Sequence, residues 1–217
     1  MKRREVGQHC GLARALELVG ERWALLIVRD LLVGPHRYTD LLNGLPGRPT
    51  NMLSTRLKEL ERAGIVERQV APSPQRGVLY TLTATGRALE PAIVALGRWG
   101  ATQLGQPRPG EVVTPESVTM TLRTAFDSAA ATGVTASWEI HAPDMVLHAI
   151  VTDGALDDAG PGPIPGGADL VIGVPLADEL SSYQNLMQAI TCGLAELTGR
   201  RTLLDTFIRL FGTSPAP

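Results

Sequence analysis

The stretch PTNMLSTRLKELERA, residues 49–63, constrains this chain most, because its apolar spacing demands a helix with one buried stripe. With about 3.6 residues per turn, Leu53, Leu57 and Leu60 share a narrow face, while Asn51, Ser54, Thr55, Lys58 and Arg62 fall on the other side. Short side chains that donate and accept hydrogen bonds, mixed with Lys and Arg, suit a helix that enters a major groove and meets both base edges and phosphates. On an isolated helix a polar outer face is ordinarily only solvated. The neighbouring segments therefore decide what this face is for.

Upstream, Leu12, Leu16 and Val19 recur at helical spacing before Gly20, and Trp23, Leu26, Ile27 and Leu31 do so before a Gly34-Pro35 stop. A third, shorter helix is expected from Thr39, as its N-cap, through Leu41, Leu42 and Leu45 to the turn-forming LPGRP. Thr50 is the expected cap of the fourth helix, and Gly64 its C-terminal stop. Two helices joined by a short Gly/Pro turn, the second with a polar face, read as helix-turn-helix. IVERQV and VLYTLT then alternate apolar and polar residues around the breaker-rich APSPQRG, which predicts a hairpin with a basic tip. Helix, turn, helix and basic hairpin together make a winged helix. An arginine such as Arg76 is ordinarily solvated surface, but after this helix it becomes a candidate phosphate or minor-groove contact. The DNA-facing candidates are Arg37, Thr39, Thr50, Asn51, Ser54, Thr55, Lys58, Arg62, Arg68 and Arg76. Among them Asn51, Ser54 and Thr55 suit base edges, and Lys58 and Arg62 suit phosphates.

The blocks ALELVGERWALLIVRDLL, RYTDLL, NMLSTRLKELERAGIVER, YTLTATGRAL and ALGRWG occur in this order, and over about residues 10–100 the chain resembles the HxlR-type winged helix-turn-helix regulators. The resemblance implies a DNA-binding homodimer whose interface is made by the first and last helices of the domain. Here those carry Leu12, Leu16 and Val19, and Leu89, Ile93, Leu96 and Trp99. Pro91, inside the last helix, is expected to remove a backbone hydrogen bond and bend it. In some members of this family a cysteine near the amino terminus senses thiol-reactive electrophiles. Cys10 stands in the matching place beside His9 in a basic segment, though the ordinary reading of such a residue is a small, partly buried apolar one.

Charge divides the chain. Residues 1–106 carry 15 Lys plus Arg against 9 Asp plus Glu, and residues 107–217 carry 5 against 13. A basic half and an acidic half point to two domains with different partners, one of them a polyanion. Residues 105–115, GQPRPGEVVTP, have a linker's composition, which separates a domain at 1–104 from one at 116–217. The two cysteines, Cys10 and Cys192, match no disulfide or metal spacing, and no apolar run reaches membrane-spanning length. Together with the absence of a signal-peptide pattern, these features lead to the expectation of a soluble, cytoplasmic protein with no membrane partner.

In the second half VTMTLRTAF, TASWEIHA, MVLHAIVTDG and ADLVIGVPL are predicted as strands, with GPGPIPGG a loop between the last two. A helix follows with Leu180, Tyr183, Met187 and Ile190 at helical spacing. CGLAELTG is then a short strand, and RTLLDTFIRLFG a final helix with Leu203, Phe207, Leu210 and Phe211 near one face. His141 and His148 lack a second ligand type at metal spacing. Asp153, Asp157 and Asp158 are read as a turn without the twelve-residue calcium pattern. No nucleophile elbow or phosphate loop appears, so neither an enzyme nor a cofactor is expected. Over about residues 113–212 the order of elements resembles the sterol-carrier-protein type of domain, in which a curved sheet and helices enclose an apolar cavity. On that resemblance Trp138, Ile140, Met145, Leu147, Ile172, Leu186, Met187, Phe207 and Phe211 are candidate lining residues, each of which also reads as plain core.

The fold class expected is α+β: a winged helix-turn-helix domain followed by a sterol-carrier-like sheet domain. The function expected is a homodimeric DNA-binding regulator, a repressor on a pseudo-palindromic operator, modulated by an apolar small molecule in the second domain. The alternative is a carrier of lipid- or polyketide-like ligands that uses the winged domain only to dimerise.

Overall fold

In a computed structural model of the chain, residues 6–49, 51–72, 76–105, 108, 110–174 and 182–212 are described. The chain divides into two compact units, Met1–Ile93 and Val94–Pro217.

The first unit is organised by α1 (Gly11–Val19), α2 (Ala24–Val33), α3 (Tyr38–Gly44) and α4 (Met52–Arg62). In α4, Leu53, Leu57 and Leu60 are all buried, as their spacing requires, together with Ile27, Val28 and Leu31 of α2 and Leu41 of α3. Gly64, at φ +69°, ends α4 in a paired cap: Gly64 N–H donates to Glu61 O and Ile65 N–H to Leu60 O, each at 3.0 Å. The N-terminal ends differ from expectation. Asn51 occupies the N-cap of α4 without a side-chain capping bond, and Thr50 lies outside the described residues. In α3 the cap position belongs to Arg37, whose N–H donates to Asp40 Oδ2 at 2.9 Å, so Thr39 sits within the first turn. An acidic residue three positions after the cap outcompeted the threonine.

A sheet of order β1-β3-β2 completes this unit, from β1 (His36–Arg37), β2 (Val66–Val70) and β3 (Val78–Leu82). The β2–β3 hairpin is the expected one, with Val66 opposite Leu82 and Val70 opposite Val78. The two-residue β1 is too short for any alternation to reveal, and it pairs His36 with Tyr80 and Arg37 with Leu79. After α5 (Ala84–Arg87), α6 runs Glu90–Ala101, its residues from Val94 onward counting to the second unit. Pro91 lies in its first turn, where the missing N–H has no intrahelical partner in any case, so the expected loss of a bond and bend do not arise.

In the second unit, the strand expected across VTMTLRTAF is instead α7 (Pro115–Ala125). Thr114 caps it by accepting from Ser117 N–H at 3.2 Å, Ser117 Oγ returns a bond from Thr114 N–H at 2.9 Å, and Pro115 opens the first turn. Val118 and Leu122, four apart, are buried on the same side. The strands β4 (Ala136–Ala142), β5 (Met145–Thr152), β6 (Ala155–Pro161), β7 (Leu170–Gly173) and β8 (Glu196–Gly199) form a sheet of order β6-β5-β4-β7-β8, parallel only between β4 and β7. β6 was not expected: Asp157 and Asp158 belong to this strand, and only Asp153-Gly154 turns, with φ +50° and +80°. That is the two-residue hairpin that an Asp-Gly pair favours.

Helices α8 (Tyr183–Thr191) and α9 (Leu203–Phe211) supply the rest of the core; Leu180, expected at the start of α8, lies outside the described residues. Trp138, Phe207 and Phe211 pack with ring centroids 5.0–6.0 Å apart. Trp138 Nε1–H donates to Leu203 O at 3.2 Å, and Tyr183 O–H donates to Phe211 O at 2.7 Å, where burial pushes the phenol well above its ordinary range.

Candidate nucleic-acid interface

The outer face of α4 is assembled as its periodicity dictates. Asn51, Thr55, Lys58 and Arg62 are exposed, and Ser54 is half-buried. The two hydroxyls are already engaged: Ser54 Oγ–H and Thr55 Oγ1–H donate to Asn51 O at 3.2 and 3.0 Å. What they turn outward is lone pairs. In this state they are acceptors, suited to the exocyclic amino groups of adenine or cytosine in a major groove. Asn51, whose side chain makes no capping bond, retains both a donor and an acceptor.

The cations divide into those the fold uses and those it leaves. Lys58, Arg62 and Arg76 have no ion-pair partner among the described residues. Arg68, from β2, pairs through Nε with Glu61 Oε1 of α4 at 2.9 Å. Arg37 turns Nη1 to the carbonyl of Arg76 at 2.8 Å. Arg56 points away from the polar face, pairing with Glu59 one turn on and with Glu21 at 3.3 Å, which braces α4 against the α1–α2 corner. Tyr80, opposite Arg68 in the ladder, is raised above its usual pKa by burial and then by Glu61. Thr39 is exposed in the first turn of α3, its hydroxyl 3.4 Å from Asp40 Oδ1.

Sequence reasoning missed two participants. Glu61 decides whether Arg68 is a free cation, but no helical spacing links residues on α4 and β2. Arg48 sits in the α3–α4 turn with Nη1 donating to Leu45 O at 2.9 Å, holding the carbonyl end of α3. Its place between Gly47 and Pro49 in a turn was its only signal.

Cys10 is exposed at the N-cap of α1, in a surface depression with His9, Arg14 and Glu17, so the reading of a partly buried residue does not hold. Trp138, Ile140, Leu147, Ile172, Leu186, Met187, Phe207 and Phe211 all belong to one buried cluster, with Met145 half-buried against it. Neither His141 nor His148 joins a group of metal ligands among the described residues. Instead His141 Nε2 bonds Glu139 at 2.6 Å, and His148 lies between Gly162 O and Asp158 Oδ2 at 2.9 and 3.2 Å. Among the described residues no helix is long and apolar enough to cross a membrane.

A helix-turn-helix followed by a two-stranded wing defines the first unit as a winged helix-turn-helix. The profile described as HxlR-like helix-turn-helix matches residues 18–108. An uncharacterized HTH-type transcriptional regulator of Synechocystis sp. is 37% identical over 102 residues, 47% of this chain and 76% of that protein. The HTH-type transcriptional regulator YodB of Bacillus subtilis is 41% identical over 102 residues, 47% of this chain and 88% of YodB. The solved reduced form of the B. subtilis regulator YodB aligns at 39% identity over 46% of this chain and 99% of that one, with a TM-score of 0.39. The chain belongs to the HxlR-like helix-turn-helix family, whose relatives here are transcriptional regulators.

Proposed function

We propose that this protein is a homodimeric transcriptional repressor that reads a pseudo-palindromic operator, with α4 in the major groove and the wing along the adjacent backbone. The observation that carries the reading is the outward face of α4, where Asn51, Thr55, Lys58 and Arg62 stand exposed beside the hydroxyl of Ser54. It mixes hydrogen-bonding groups with cations that have no ion-pair partner among the described residues, over a buried leucine stripe. Dimerisation is supported by apolar side chains left in solvent: Leu12 and Leu16 on α1, and Leu96 and Trp99 on α6, a helix with no buried residue. Two recognition helices must then meet half-sites about 34 Å apart, or a multiple of that.

The second unit, with its resemblance to sterol-carrier-type domains, takes an apolar small molecule among Trp138, Ile140, Leu186, Met187, Phe207 and Phe211. Its binding changes the spacing or tilt of the recognition helices. The test is footprinting on DNA from the region beside the protein's own gene: a symmetric protected site is expected, and no protected site at moderate salt overturns the reading.

A further inference from the structure

The wing of the first unit is held from two sides. On one, Arg68 of β2 is paired with Glu61 of α4. On the other stands Arg37, whose backbone is fixed twice, by Asp40 accepting its N–H and by pairing with Leu79 of β3. Its guanidinium crosses thirty-nine residues of sequence to donate to the carbonyl of Arg76. The next residue, Gly77, has φ +126°, and a Cβ there would stand 2.9 Å from Arg37 Nη1. Gly77 thus holds a backbone conformation that L side chains rarely adopt, and it passes close to this guanidinium. Gly77 O in turn accepts from Ala71 N–H at 2.9 Å, closing the base of the wing.

We propose that Arg37 is a positioning residue: its guanidinium holds the returning limb of the wing so that the Arg76 side chain is presented to the DNA backbone, and it makes no phosphate contact of its own. This rests on the DNA-binding reading above. A guanidinium has five N–H donors in a rigid fork, and a backbone carbonyl that accepts one of them is fixed in direction as well as distance. With Arg37 removed, the segment carrying Arg76 is free to sample other poses, and only that fraction of molecules with the wing in place makes the contact.

The experiment is a double-mutant cycle in the full-length protein, with R37A, R76A and the double variant. Operator affinity is measured across a salt series, and amide hydrogen exchange at Ala71 is measured in the free protein. The expected result is that R37A and R76A each weaken binding, and the double variant binds no more weakly than R76A with the same salt slope. Exchange at Ala71 is expected to quicken in R37A and not in R76A. A double variant weaker than R76A, with a slope smaller by a further ~1.8 for two protomers, makes Arg37 a phosphate contact and overturns the proposal. Unchanged exchange at Ala71 in R37A overturns it without reference to DNA. A wild-type protein that binds no operator fails the regulator reading instead, and the exchange at Ala71 still decides whether Arg37 holds the wing.

Discussion

On the proposed reading, the salt dependence of operator binding follows from which cations have no ion-pair partner among the described residues. Arg37, Lys58, Arg62, Arg68 and Arg76 all lie on α4, the wing or the strand before α3. If each met a phosphate, a dimer would make ten contacts, and log K would fall against log salt with a slope of roughly −9. Arg68 is instead paired with Glu61, and Arg37 is spent on the Arg76 carbonyl. Lys58, Arg62 and Arg76 remain, six contacts per dimer, for a slope near −5.4 at ~0.9 per contact. Between 50 and 200 mM salt the first case costs about five powers of ten in affinity and the second about three. Fluorescence anisotropy on a labelled operator separates them. K58A is expected to flatten the slope by ~1.8 per dimer, and R68A hardly at all. Glu61→Gln, which releases Arg68, is expected to steepen it. A slope near −9, or equal losses for K58A and R68A, refutes the reasoning that an intramolecular partner removes a cation from the count.

Thr114→Ala removes the oxygen that accepts Ser117 N–H at the start of α7 and is expected to cost about 1 kcal/mol in urea unfolding of the full chain; no loss argues against the capped helix. Burial alone would raise the Glu139 carboxyl, but the bond from His141, the N–H of Ile164 and the charges of His141 and His148 outweigh it and hold it below the ordinary value of 4.5. A folded pKa below the unfolded one contributes stability above the unfolded value that is lost as pH falls through the folded one. Glu139→Gln is therefore expected to flatten the acid limb of stability below about pH 4.5, and an unchanged limb in pH-jump melts counts against this assignment. Replacing Leu16 and Trp99 together with Ser is expected to give monomers in sedimentation experiments and to abolish cooperative operator binding. Retained dimers place the interface elsewhere.

The parts of the fold that were legible are those in which one local rule decides. Leu53, Leu57 and Leu60 announce α4 because helical period and burial coincide within eleven residues, and Gly64 announces its end because a positive φ is needed there. Where two local rules compete, the pattern does not say which wins. In VTMTLRTAF the threonines alternate like a half-buried strand, while Thr114, Pro115 and Ser117 write a helix start just upstream, and the cap with its Val118–Leu122 face won. Asp153, Asp157 and Asp158 read together as one acidic turn by charge, which says nothing of φ. The Asp-Gly pair alone makes the turn, and the two further aspartates line β6, an edge strand that exposes both.

The candidate interface divides along a different line. Which residue types stand on the outer face of α4 could be read from spacing. Their availability could not, because it is set by partners that are distant in sequence or off the helical period. Ser54 and Thr55 suit base edges by residue type, but spacing does not show that both hydroxyls donate to Asn51 O, a bond that any hydroxyl three or four residues into a helix can make. By charge and place in the sequence Arg37 and Arg68 are indistinguishable from Lys58 and Arg62, since all four are cationic and near the turn or the wing. Arg68 meets Glu61 only when the Gly64 cap turns β2 back along α4, and Arg37 meets Arg76 only when β1 pairs with β3. The same two contacts join the wing to both helices of the helix-turn-helix. On the proposed DNA-binding reading, the cations withdrawn from phosphate contact are therefore the ones that fix where Arg76 stands relative to Lys58 and Arg62. A winged helix of modest charge gains rigidity at the interface from arginines that a count of basic residues would credit to affinity.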